Sequence, residues 1–196
     1  MNNYSYSQTL YQRLLSCTDT VQHCSLLPAS SYHLTIYYLY AQARMFGTNS
    51  EKWHAFIDRN LDWFQGLHEQ LKNLSSMKAP IVGIDVSAGV IQLVVSIPNN
   101  ICASIAALAN RANPSLAYPD TYHITLAYFY KPLSEHQLEL IRNELNEKLS
   151  PLIPHEIVFE PPRLHYFTDM TRFHLWDAKT CPFTVPVPLS TPGVLM

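Results

Sequence analysis

Glycine is scarce in this chain. Its 196 residues hold five, at positions 47, 66, 83, 89 and 193. No two have the spacing of a Walker loop or of G-x-G-x-x-G, which excludes those backbone-amide phosphate cradles. Any phosphate must be held by side chains. Charge is scarce too: 14% of residues are charged and the formal net charge is −2. That excludes capture of long nucleic acid by bulk electrostatics. Cys17, Cys24, Cys102 and Cys181 form no C-x-x-C pair, and there is no H-E-x-x-H or Cys/His cluster with zinc spacing. The thiols read as reduced residues of a cytoplasmic protein, and no metal or other cofactor is expected. The start, MNNYSYSQTLYQRLL, lacks the basic and apolar regions of a secretory signal. The uncharged stretch 86–110 is cut at Pro98-Asn99-Asn100 into pieces too short to cross a bilayer. What the chain does have is 47% hydrophobic residues and nine His. The first suffices for a globular core, and the length suits one domain or two small lobes.

Hydrophobic periodicity gives a coarse order of elements. Residues 7–16 read as a short helix, 21–27 as an extended stretch, and 32–40 (YHLTIYYLY) as an aromatic, β-branched strand. Residues 51–74 carry an apolar stripe through Trp53, Ile57, Phe64, Leu67 and Leu71, which predicts one long helix. Strands at 81–86 and 90–97 are joined through Ser87-Ala88-Gly89, a hairpin signal. The order then restarts: helix 101–112, strand 122–130 (YHITLAYFY), and helix 134–149 opened by a capping box of Ser134 and Gln137. Short strands follow at 157–160, 164–167 and 172–176, then a proline-rich tail over 178–196, read as an edge strand or irregular arm. Two halves, about 5–97 and 99–177, thus share the order helix, aromatic strand, helix, hairpin within one domain, 1–177.

The two aromatic strands carry the chemistry. Aligned, YHLTIYYLY and YHITLAYFY are identical at five of nine positions, at an offset of 90 residues. Residues two apart on a strand share a face. His33 and Thr35 therefore project together, as do His123 and Thr125, with Leu34, Ile36, Ile124 and Leu126 behind them. A pseudo-twofold would set the two pairs across one groove. Two imidazoles serve as general base and general acid, and two hydroxyls donate to phosphate oxygens. A lone His-x-Thr means little; two in matched strands point to a shared active site.

These motifs, His33-Leu34-Thr35-Ile36 and His123-Ile124-Thr125-Leu126, resemble the signature of the two-histidine (2H) phosphoesterase superfamily, which includes RNA ligase-like and cyclic phosphodiesterase proteins. LLPASSYHLTI (26–36), YHITLAY (122–128) and LHYFTDMTRF (164–173) are most similar to a branch described as a domain of unknown function. The resemblance implies a bilobal α+β fold: two pseudo-symmetric halves, each with a mainly antiparallel sheet and flanking helices, about a central groove. It also implies metal-independent phosphodiester chemistry, with His33 and His123 catalytic and Thr35 and Thr125 binding phosphate. Such proteins carry an additional strand before the first helix. MNNYSYSQTLYQ offers none, so one lobe is expected to have a shortened sheet.

Other residues are weighed against plainer roles. Tyr37 shares the face of Thr35 and is a candidate to stack on a base, or a packed strand aromatic. Arg44, in the following loop, is a candidate phosphate cation, or a solvated charge. Tyr38, Tyr40, Tyr128 and Tyr130 fall on the opposite face and read as core. His165 and His174 bracket a turn at Thr168-Asp169-Met170 and read as lying outside the groove. His23, His54, His68, His136 and His155 read as surface or structural.

The expectation is a cytoplasmic, monomeric phosphodiesterase acting on a cyclic nucleotide, a 2′,3′-cyclic phosphate or a short oligonucleotide, as in RNA processing. It needs no membrane. The alternatives are a 2′-5′ oligonucleotide phosphodiesterase, an RNA 2′-5′ ligase-like enzyme, a non-catalytic nucleotide-binding module, and a core pair with no site.

Overall fold

Leucines and isoleucines three and four apart make helix faces, and alternating β-branched residues make strands that need something to cover. A computed structural model describes residues 3–37, 39–87, 89–109, 121–153, 156–169 and 172–177. Helix α1 (Asn3–Leu15) and short α2 (Thr18–His23) lead into strand β1 (Cys24–Leu26). Helices α3 (Gln42–Phe46), α4 (Ser50–Arg59) and α5 (Leu61–Lys72) follow, then β2 (Met77–Ala79), β3 (Ile81–Ser87) and β4 (Val90–Val95). Next come α6 (Asn99–Ala109), β5 (Tyr122–Phe129), α7 (Glu135–Leu149), β6 (Ile157–Phe159), β7 (His165–Asp169) and β8 (Arg172–Leu175). The fold is α+β with antiparallel sheets. One sheet has the order β1-β5-β4-β3; β2 pairs with β6, and β7 with β8.

Leu10 and Leu14 of α1 and Ile141, Leu145 and Leu149 of α7 pack against Ile91, Leu93, Val95, Ile124 and Leu126 of the sheet, forming a first core. Burying each such side chain contributes about 1.5–3 kcal/mol. A second core gathers Trp53, Ile57, Phe64, Leu67 and Leu71 of α4 and α5 with Leu164 and Trp176, which flank the β7–β8 hairpin. The capping box of α7 forms as its sequence implies: Ser134 Oγ accepts from Gln137 N–H, and Gln137 Oε1 accepts from Ser134 N–H at 3.0 Å. Gly89, at φ +87°, closes the β3–β4 hairpin in a conformation L-residues rarely adopt.

Several sequence expectations need correction. The helix expected over 51–74 is two, broken at Asn60 (φ −110°, ψ 8°). There the Asn60 amide donates to Phe56 O at 2.7 Å, a local bond that competes with the helical ladder. Val21 lies in α2 rather than in an extended stretch, and the β2 strand had no sequence signal. The larger correction is at 32–40. It is not a strand: residues 32–37 and 39–40 lie outside every helix and strand. β1 pairs with the far half of β5, and the chain then leaves the sheet through Pro28 and a 3₁₀ turn at Ala29–Ser31. The aromatic run is satisfied by packing instead, Leu34 and Ile36 in the first core, Leu39 and Tyr40 in the second. A β-leaning composition reports a fit to half-buried surfaces, not a commitment to a ladder.

A β-bulge in β5 makes another. The register steps from Gln92↔Thr125 to Ile91↔Ala127, leaving Leu126 as the extra residue. Leu126 and Ala127 are both fully buried, and from there the facing of side chains inverts. Phe129 packs on the first core, while Tyr128 pairs with exposed Ser25 and Tyr130 is 68% exposed. Tyr128 and Tyr130 are therefore not core residues. Tyr40 is one, edge-on to Phe56 at 4.8 Å; Tyr38 lies outside the described residues.

Candidate active site

The main sheet brings the two motifs together. β1 runs antiparallel to the far half of β5, and Leu27 N–H still donates to Leu126 O at 2.8 Å. The chain then turns through Pro28 and Ala29–Ser31 to His33. The local setting of the two histidines is the same although only one is on a strand. His33 Nδ1 lies 2.7 Å from Ser31 O, and His123 Nδ1 lies 3.2 Å from Thr121 O. A carbonyl only accepts, so each Nδ1 carries the proton and each Nε2 is the working nitrogen. Ser31 is itself held: its N–H and Oγ both donate to Pro28 O at 2.8 Å.

The His33 imidazole senses His123. Burial lowers the pKa of His33 from 6.5, the Ser31 carbonyl opposes this, and the charge of His123 lowers it further. The His33 ring also lies on Phe173, with centroids 3.7 Å apart and planes tilted by 38°. Thr125 is buried (7% exposed) beside its cross-strand partner Gln92, whose amide donates to Asp85 at 2.9 Å. Thr35 is half-buried two residues after His33. Tyr37 packs against the first core, and Arg44 is exposed on α3. The sequence reading missed Phe173 and Gln92. Only cross-strand and cross-hairpin pairing, unreadable from one sequence, puts them beside the motifs.

His123 stands on a strand flanked by β4, while His33 packs on Phe173 of β8. Within the hairpin, Tyr166 and His174 stack at 5.1 Å on the face shared with Leu164 and Trp176. His165, Phe167, Phe173 and Leu175 make the other face, the one that Phe173 sets against His33. His174 thus lies away from the motif histidines, as expected, whereas His165 is on their side.

Cys17 and Cys24 are buried free thiols pushed up to about 11 and about 12, chiefly by burial, and so are inert. Cys102 is half-buried, its Sγ 3.0 Å from Tyr122 Oη, and Cys181 lies outside the described residues. His68 is buried, not a surface residue, at 5% exposed. Among the described residues, no three His, Cys, Asp or Glu side chains are grouped to hold a metal, and no helix is long and apolar enough to cross a membrane. A cleft of about 180 Å³ lined by Leu74, Met77, Ile101 and Ile105 lies elsewhere and carries no titratable side chain, so the chemistry is located by the histidines.

The chain matches no family model, no curated protein and no solved structure. The site therefore has to be argued from its own residues.

One consequence concerns stability. His33, His68 and His165 all have pKa values lowered from 6.5, with burial the largest cause in each. The unfolded chain binds more protons than the folded one between the lowered values and about 6.5. Stability is then complete above about pH 6.5 and is lost as pH falls through that value toward the folded ones. Melting temperature is expected to drop between pH 7.5 and 5.5; a flat or rising profile in calorimetry would contradict the lowered pKa values of these imidazoles.

Proposed function

We propose that this protein is a metal-independent phosphodiesterase of the 2H kind, hydrolysing a cyclic nucleotide, a 2′,3′-cyclic phosphate or a short oligonucleotide between His33 and His123. The observation that carries the reading is the paired setting of the two histidines. Each Nδ1 is tied to the carbonyl two residues before it, and they lie close enough for the charge of one to depress the pKa of the other. The resemblance of both His-x-Thr motifs to the 2H signature supports it.

The chemistry assigns roles. His33, biased toward its neutral form by burial against Phe173, takes a proton from water at Nε2. The hydroxide forms a bond to phosphorus as the bond to one ribose oxygen breaks. His123, protonated, gives its proton to that oxygen. Thr35 and Thr125 donate to the non-bridging oxygens, where developing charge needs hydrogen bonds most. The product is a nucleotide with a terminal phosphomonoester. A base with a lowered pKa puts the acidic limb of the bell-shaped rate profile below 6.5.

The test is a screen of the full chain against cyclic mono- and dinucleotides, 2′,3′-cyclic ends and 2′-5′ oligoadenylates, with and without EDTA. Turnover of at least one substrate class, undiminished by the chelator, is expected. Loss of activity on chelation, with recovery on adding a divalent metal, overturns the metal-free mechanism. Saturable nucleotide binding with no product at any pH reassigns the groove as a binding module.

A further inference from the structure

A third histidine repeats the local arrangement of the two motif histidines without belonging to a motif. His165, the first residue of β7, has its Nδ1 3.2 Å from Arg163 O, the carbonyl two residues before it. The tautomer is therefore set as in His33 and His123: Nδ1 donates, and Nε2 of the neutral ring is an acceptor. Strand parity and the pairing His165↔Leu175 and Phe167↔Phe173 put His165 on the hairpin face that carries Phe167 and Phe173. Phe173 lies on His33 at 3.7 Å, and Phe167 lies on Phe173 at 4.9 Å while remaining 45% exposed. His165 is itself open to solvent. Yet its pKa is lowered, first by desolvation and then, against the opposing Arg163 carbonyl, by the charges of His33, Arg163 and His68. The charges that act on it, those of His33, Arg163 and His68, are positive or become so on protonation, which favours the neutral, accepting form.

We propose that His165 is a third substrate-contacting imidazole of this groove, accepting at Nε2 a hydrogen bond from a hydroxyl of a nucleoside phosphate whose base lies on Phe167. The inference rests on the phosphodiesterase reading for the location of the reacting phosphate, and it narrows the substrate to one bearing a sugar hydroxyl and a planar base. His165 has a binding role, not a proton-transfer role. Its neutral ring supplies an acceptor where His33, His123, Thr35 and Thr125 are already committed to the phosphate. An exposed aromatic ring beside such a site stacks on bases of any identity, at about 1–3 kcal/mol per base.

The experiment uses the full chain with His165→Ala, His165→Gln and Phe167→Ala. Two readouts are taken: steady-state kinetics on the nucleoside 2′,3′-cyclic phosphates, and calorimetric binding of adenosine 2′- and 3′-monophosphates, which need no turnover. His165→Ala is expected to raise KM and the monophosphate Kd roughly 3- to 10-fold, the loss of one hydrogen bond, with kcat changed little. His165→Gln, whose amide oxygen accepts, restores most of the loss. Phe167→Ala raises KM for nucleotides. Because His165 and Phe167 are exposed, circular dichroism and melting temperature should match the wild type. Unchanged KM and Kd in His165→Ala overturn the inference, as does a fall in kcat at constant KM. If the wild type binds monophosphates through His165 but turns over nothing, the inference stands and the hydrolase reading falls. If it hydrolyses cyclic phosphates indifferently to His165, the reverse holds. A wild type that neither binds nor hydrolyses nucleotides overturns both.

Discussion

His33→Ala and His123→Ala are each expected to lower turnover of the cyclic phosphate substrate by roughly 100- to 10,000-fold, the usual worth of one positioned acid or base. Both rings are half-buried rather than deep in a core, so the variants should melt near the wild-type temperature. The two losses should not multiply in the double variant, because removing either group already breaks the concerted proton transfer. They should differ in pH dependence. His33→Ala removes the acidic limb, since a base that is no longer present cannot be protonated; His123→Ala removes the alkaline one. Stopped or continuous assays across pH 5–9 distinguish these. Full activity in both single variants sinks the paired-histidine mechanism.

Leu126→Ala is the largest expected stability change near the site. Leu126 is fully buried at the bulge of β5, directly after Thr125, and its carbonyl accepts from Leu27 N–H at 2.8 Å. Truncating a buried leucine costs about 2–5 kcal/mol, part of it for the cavity left behind. In a chain of this size that is a fall of roughly 5–15 °C in melting temperature. Leu145→Ala, equally buried in α7, serves as the comparison. Both should lose similar stability. Only Leu126→Ala should also weaken turnover at temperatures where both are folded, because the bulge sets how Thr125 and the His33 segment meet. Equal activity in the two folded variants would mean that the bulge plays no part in holding the site.

The correct readings of the sequence share a local cause. The apolar stripes of α5 and α7, the Ser134 capping box and the Gly89 hairpin each depend on residues a few positions apart. The two His-x-Thr motifs were legible because they repeat. The errors share a cause as well. The segment 32–40 has strand composition, but whether a ladder forms depends on a neighbour, and the chain has left the sheet through Pro28 and the turn at Ala29–Ser31. Tyr128 and Tyr130 were assigned by strict alternation, which one extra residue at Leu126 inverts. His165 was set aside because a histidine bracketing a turn has no signal of its own; its role follows only from which hairpin face meets His33.

The sequence by itself determined the chemistry on offer: two His-x-Thr motifs, no glycine phosphate loop, no zinc pattern and too little charge for long nucleic acid. These are properties of residue type and spacing, and no fold is needed to state them. Only the tertiary structure decided that the first motif lies outside the strands, that His33 packs on Phe173 of the β7–β8 hairpin, and that His165 lies on the hairpin face that carries Phe173. Those depend on contacts between residues up to 140 positions apart, such as His33 with Phe173. Hydrophobic burial and strand pairing select such contacts from the whole chain at once, so no local stretch encodes them.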